Sequence, residues 1–487
     1  MVGRGLRFMA LAAVSVLVVG ACGEPNPTPL IIVDTPPSAS ASPTAASESA
    51  APGTVVRWFV GLGGGTTTAQ VAAEKQFVTS YNQINKDGIV ISLEVQPQAY
   101  AYDALKSEMA AGNAPDIVGP AGIGDRNGFE GLFIDLTPEA AKFNYDLKAF
   151  PDQLMKSFQQ GKDGLVGLPY LLDPGYIWYN KDAFAAANLP DLPTKVGQQY
   201  QGQTWDWTEF GNVAAQLTLD KTGKKATDKG FDKTSIVKYG MDFDGLDARQ
   251  IGTAFGAGSF VDSDNKTAVI PSAWADAFSW YYNAIWTGHY APTATALAST
   301  LLTGGSMASG NVAMSVAWSS GISSLWNSTT KAAAMKSWDI AVMPSWKGST
   351  TSPLQAQSFS ITKASKNPDA AFKVMLAIMA DTTFMKDYGG LPAKTADRAL
   401  FTSSMNATLK PIFPSVNVTW SVLDEMVAHP GIPSQDANLP GLAKATTDYA
   451  AFVTRLQTAN PLDVTAELTK LKATLQADFD ASRPLAG

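Results

Sequence analysis

The sequence predicts an α/β protein built on a mainly parallel sheet, and three observations carry that expectation. Short apolar, β-branched runs alternate with amphipathic helical stretches in the first third of the chain. Glycine- and proline-containing turns punctuate them. The chain has 487 residues, 45% apolar and 16% charged, which is enough for two or three domains with a sizeable core.

The N-terminus comes first in order. Arg4 and Arg7 precede the apolar stretch Phe8 to Gly20, and Val19-Gly20-Ala21-Cys22 ends it with small residues before a cysteine. This layout reads as an export signal, too short for a comfortable membrane span. Residues 1–22 are therefore expected to be a lipoprotein signal with its acylation box. Cys22, the only cysteine, is the expected lipidation site, and a diacylated chain holds stably to a bilayer. Residues 23–53, rich in Pro, Ser and Ala, are expected to form a disordered tether spanning on the order of 30 Å.

Val55 to Val60 then reads as a strand. It runs into the glycine-rich turn Gly61 to Gly65 and a helix carrying Ala73, Phe77, Tyr81 and Ile84 on one face. Thr66 to Thr68 offer capping hydroxyls. Ile89 to Val95 is a second strand, a helix with Tyr102, Leu105 and Met109 follows, and Gly112 stops it. Ala114 to Val118 supplies a third strand. The glycine run lacks the Lys-Ser/Thr of a P-loop and fits GxGxxG poorly, so no nucleotide site is expected.

Net charge is −7 without a dense basic run, which argues against nucleic acid as a partner. A single thiol excludes CxxC metal or redox chemistry in the body. His289 and His429 have no ligand-like spacing, and no GxSxG or HExxH occurs. Met241 to Arg249 is the densest acidic cluster. It departs from the EF-hand pattern at its glycine and lacks the closing Glu. Neither metal, cofactor nor catalysis is expected.

Several ordered segments carry a resemblance. Ala114-Pro115-Asp116-Ile117-Val118 leads to Gly131-Leu132-Phe133-Ile134-Asp135-Leu136-Thr137. Gly167-Leu168-Pro169-Tyr170 leads to Trp178-Tyr179-Asn180-Lys181-Asp182. Thr204 to Phe210, Gly310-Asn311-Val312-Ala313-Met314 with Trp318, Ile361 to Ala371, and Gly389-Gly390-Leu391-Pro392 follow in order. Over nearly all of residues 54–487 the chain resembles the family 1 extracellular solute-binding proteins of ABC importers, the maltose-binding-like group.

That resemblance implies a periplasmic-binding-protein-like fold. Residues 54–168 with 354–401 would form one lobe and 169–353 with 402–487 the other, with a ligand cleft between them and hinge crossings near Leu168 to Tyr170, Pro353 to Phe359 and Thr402 to Pro411. The implied function is capture of a mono- or oligosaccharide for ABC permease subunits. The protein would be a monomer outside the cell membrane, held there by its lipid alone. A same-fold binder of a non-sugar solute such as a polyamine, or a secreted glycosidase using two opposed carboxylates, is the alternative.

A sugar pocket needs flat apolar faces and polar hydroxyl partners. The resemblance places Trp318 as the stacking face, with Ser319 beside it. It also places Asp125 and Arg126 in the loop after the third strand. Tyr170 and Asp173 follow the first crossing, where Pro174-Gly175 marks a turn. Asp244 and Asp247 in the acidic cluster, and Gln357 at the second crossing, complete the candidates. Trp178, Trp205, Trp207 and Trp286 are expected to be structural, and Asp206 with Glu209 resembles a capping box.

Overall fold

The computed structural model describes residues 30–32, 53–160, 163–243, 248–262, 264, 266–326, 333–431 and 442–482. Among the described residues the first element is strand β1 (Leu30–Ile32), followed by β2 (Thr54–Val60), helix α1 (Thr68–Ile84), β3 (Ile89–Val95), α2 (Gln98–Ala110) and β4 (Ile117–Gly122). Strands β3, β2 and β4 pair in parallel, with Trp58 opposite both Leu93 and Ile117. Both faces of this sheet are covered at the C-terminal end of β2, so Trp58, Phe59 and Val60 are consecutively apolar and buried rather than alternating. Trp58 packs edge-on against Phe77 of α1. Its neighbour Phe59 joins Leu105 of α2, Val118 and Phe133 in a separate cluster on the opposite face.

Thr67 starts α1 through a reciprocal capping box with Gln70, so the expected role of these hydroxyls is met by the helix's own backbone. β1 lies inside the stretch expected to be a disordered tether, where it pairs antiparallel with β3 as an edge strand. Leu30, Ile31 and Ile32 belong to the one apolar run there, and the open backbone edge of β3 accepts it.

Strand β5 (Leu168–Asn180), the longest among the described residues, changes partners along its length. The expected turn at Pro174-Gly175 is instead the switching point within a continuous strand. Up to it, Leu168 to Pro174 pair with Phe359 to Leu354; after it, Gly175 to Tyr179 pair with Trp318 to Met314. Pro174 has no N–H for the ladder, and Gly175 donates to the Pro353 carbonyl at 2.8 Å.

Beyond β5 come α3 (Trp207–Leu217), β6 (Ile236–Asp242), α4 (Ala248–Thr253), α5 (Ser272–Trp286), β7 (Val312–Trp318) and β8 (Trp338–Ala341). The Asp206 carboxylate caps α3 on the N–H groups of Thr208 and Glu209, both at 2.9 Å. Trp205, Trp207 and Trp178 are buried and Trp286 is half-buried, so all four are framework as expected. The chain then returns through β9 (Leu354–Ile361) to α6 (Pro368–Ala380), α7 (Thr382–Tyr388), β10 (Leu391–Pro392) and α8 (Arg398–Leu409). It ends in α9 (Leu442–Thr458) and α10 (Val464–Ser482), which pack on one another and on α5.

Among the described residues, eleven strands form one sheet ordered β1-β3-β2-β4-β9-β5-β7-β6 and a short edge at Leu219–Asp220, with β8 and β10 also on β5. It is parallel only within β3-β2-β4 and between β6 and β7. The hinge strands β5 and β9 run antiparallel to one another, β9 also to β4 and β5 also to β7. The sheet is thus two α/β lobes sharing β5 and β9.

Candidate functional site

A cavity of about 710 Å3 opens where β5 and β9 cross between the lobes. Leu171, Leu172 and Asp173 of β5, with Gln355, Ala356 and Gln357 of β9, form its floor. The first lobe contributes Gln70, Gln98 and the turn Gly122 to Asp125. Arg249 of α4 and Ser319 after β7 face them, and Tyr388, Phe401 and Met405 close one side.

The glycine turn explains how the polar wall assembles. A Cβ on Gly63 would lie 2.1 Å from Asp125 Oδ2, and one on Gly64 would lie 2.6 Å from Gln357 Nε2. On Gly65, where φ is +82°, it would lie 2.7 Å from Glu74 Oε1 and 3.0 Å from Tyr388 Oη. Three consecutive residues without side chains let these polar groups close on the loop, and Gln357 Nε2 donates to the Gly63 carbonyl at 2.9 Å.

Asp125 is mostly buried, which pushes its carboxyl up. Arg249 across the cleft, then Arg126 beside it, act in the opposite sense. Arg249 itself lies over the Tyr449 ring at 5.1 Å, so its guanidinium is seated before any ligand arrives. Asp173 Oδ1 accepts the Ser319 N–H at 2.6 Å and its hydroxyl at 2.5 Å, tying the hinge strand to the turn after β7. The site therefore offers carboxylate, guanidinium, amide and hydroxyl groups beside apolar surface, a combination suited to a neutral polyhydroxylated solute.

Of the residues expected from the sequence, Asp125, Asp173, Ser319 and Gln357 meet on the cavity wall. Trp318, Arg126 and Tyr170 stand behind it, 7%, 1% and 2% exposed. The Trp318 carbonyl accepts the Tyr176 hydroxyl at 3.0 Å. Arg126 lies over Phe158 at 5.1 Å, where burial lowers its pKa to about 10. Tyr170 packs among Phe359, Phe384 and Tyr388. Asp244 and Asp247 lie outside the described residues.

Sequence reasoning missed Gln70, Gln98, Arg249, Phe401 and Met405. Arg249 closes the acidic cluster already singled out, so its charge opposite Asp125 was a usable signal. The position of α8 was not. Its first residue, Arg398, binds Asp424 and the Pro392 carbonyl, and Phe401 meets Trp420 edge-on at 5.8 Å. These long-range contacts set the face carrying Phe401 and Met405 against the cleft. The expected lobe boundary between residues 401 and 402 falls within this helix.

No curated protein matches the sequence. Solved structures do match its fold. UspC of M. tuberculosis is similar at 20% identity and TM-score 0.69, covering 87% of this chain and 100% of that one. An ABC substrate-binding protein from Listeria monocytogenes in complex with cycloalternan is similar at 17% identity and TM-score 0.59, covering 88% and 99%. The cyclic alpha-maltosyl-1,6-maltose binding protein of Arthrobacter globiformis is similar at 16% identity and TM-score 0.62, covering 88% and 100%. A family model matches residues 76–399, two thirds of the chain and most of the cleft's lining, and with it the chain belongs to the bacterial extracellular solute-binding proteins.

Proposed function

We propose that this protein captures a carbohydrate outside the cell and delivers it to an ABC permease, held at the membrane by a lipid on Cys22. The observation that carries this reading is the convergence of Asp125, Asp173, Arg249, Ser319 and Gln357 on one inter-lobe cavity with apolar flanks. Carboxylates and amides bind sugar hydroxyls, and the flanks take the faces of the rings. The sugars named for the Listeria and Arthrobacter proteins of this fold support the same solute class. A polyamine fits less well, since Arg249 places a positive charge in the wall. Turnover by paired carboxylates also fits less well, because Asp173 is bound twice by Ser319. Closure of the two lobes about β5 and β9 would present the loaded form to the permease. No described helix is long and apolar enough to cross a membrane.

Titration calorimetry against a mono- and oligosaccharide panel, with product analysis of the same mixtures, tests this. Saturable binding of a saccharide without products is the expected result. Binding confined to amines, or release of shorter sugars, overturns it.

A further inference from the structure

The cleft does not end at its polar wall. Gly389, Gly390, Phe401 and Met405 line it and also line a second cavity of about 70 Å3 between α7 and α8. Met385, Pro392 and Leu400 complete this annex, and the polar side chains on its wall are Lys386 and Ser404. Two glycines stand at the junction. Gly389 has φ +83° and no atom within 4 Å of where a Cβ would sit, so no side chain screens the junction on that side, while Gly390 rests against Leu171. The main cavity is therefore two-sided: charged and amide groups gather around Asp125, and hydrocarbon gathers around Phe401 and Met405, which the annex shares.

A bare saccharide can lay a ring face on the hydrocarbon flank of the cleft, but it carries hydroxyls on every edge and does not suit the annex beyond. Pushed into the annex it would leave hydroxyls unpaired. We infer that the cleft takes an amphiphilic glycoside, with its sugar head against Asp125, Arg249, Asp173 and Gln357 and a short alkyl, acyl or aryl substituent entering the annex between α7 and α8. The inference rests on the carbohydrate reading above. The annex volume, little more than twice the share of one water in the liquid, takes roughly the last two or three carbons of a short substituent. Each methylene so buried is worth about fourfold in affinity.

Matched methyl and n-butyl glycosides of glucose, galactose, maltose and cellobiose, titrated calorimetrically into the full chain, test it. For any head group that binds, the butyl glycoside should bind about tenfold or more tightly than its methyl partner. Ser404 touches the annex and not the main cleft, so Ser404→Phe should plug the annex and abolish that advantage while methyl glycosides bind as before. If Ser404→Phe fails to melt as wild type does, Ser404→Leu takes its place. Butyl and methyl glycosides binding equally would overturn the annex and leave carbohydrate capture standing. A butyl advantage that survives the plug would overturn the assigned location. Amine binding with no glycoside binding would overturn the carbohydrate reading and this inference with it.

Discussion

Glu74 offers a sharp test of the packing behind the cleft. It lies on α1, wholly buried, and neither carboxyl oxygen has a hydrogen-bond partner among the described residues. The hydroxyls of Tyr170 and Tyr388 nearby are likewise unpaired. Burial pushes the Glu74 pKa from 4.5 up to about 9. An acid whose folded pKa exceeds its unfolded one keeps its proton in the native state after the unfolded chain has released it. Stability is then full below pH 4.5 and falls as pH rises toward 9, by about 1.4 kcal/mol per pH unit. By pH 7 the loss reaches about 3 kcal/mol on that slope.

Glu74→Gln keeps the shape and removes the ionisation. The variant should match wild type near pH 4.5 and exceed it by about 3 kcal/mol at pH 7, which in a chain of this size is a rise of about 3 °C in melting temperature. Calorimetric melts of both proteins from pH 4.5 to 8.5 measure this, since other titrating groups cancel in the difference. A difference that stays flat with pH, or a wild type more stable at pH 7, would refute the reasoning.

Three further outcomes are expected. Asp125→Ala and Arg249→Ala should each weaken saccharide binding tenfold or more, as loss of a central polar anchor commonly does; calorimetry showing unchanged affinity places the site elsewhere. Trp318→Ala removes a buried ring behind the wall and should cost about 3 kcal/mol or more of stability in a denaturant melt; lost binding at an unchanged melting point would make Trp318 a ligand face instead. Cys22→Ser should leave the protein without diacylglyceryl mass and free of the membrane fraction, read by intact-mass analysis and fractionation; retention of the variant on membranes excludes the lipid as anchor.

What the sequence determined by itself is whatever depends on near neighbours. Thr67 with Gln70, and Asp206 with the N–H groups of Thr208 and Glu209, are caps whose partners lie two or three residues away, so the starts of α1 and α3 were legible. The alternation of β2, α1, β3, α2 and β4 was legible for the same reason, because side-chain periodicity reports which face of an element is buried. Asp125 and Gln357 were reached through ordered motifs rather than through any pattern of their own.

Tertiary structure decided which aromatic and charged residues face the cavity. Trp318 and Tyr170 carry the residue types a sugar site uses, yet the crossing of β5 with β7 and β9 turns them behind the wall. Phe401 and Met405, unremarkable on an ordinary helix, line the cleft because Arg398 and Trp420 hold α8 there. The bonds that build the wall join residues far apart in the chain: Gln357 reaches Gly63 across 294 positions, and Ser319 reaches Asp173 across 146. Contacts at such separation are fixed by the packing of whole elements, and no local periodicity records them.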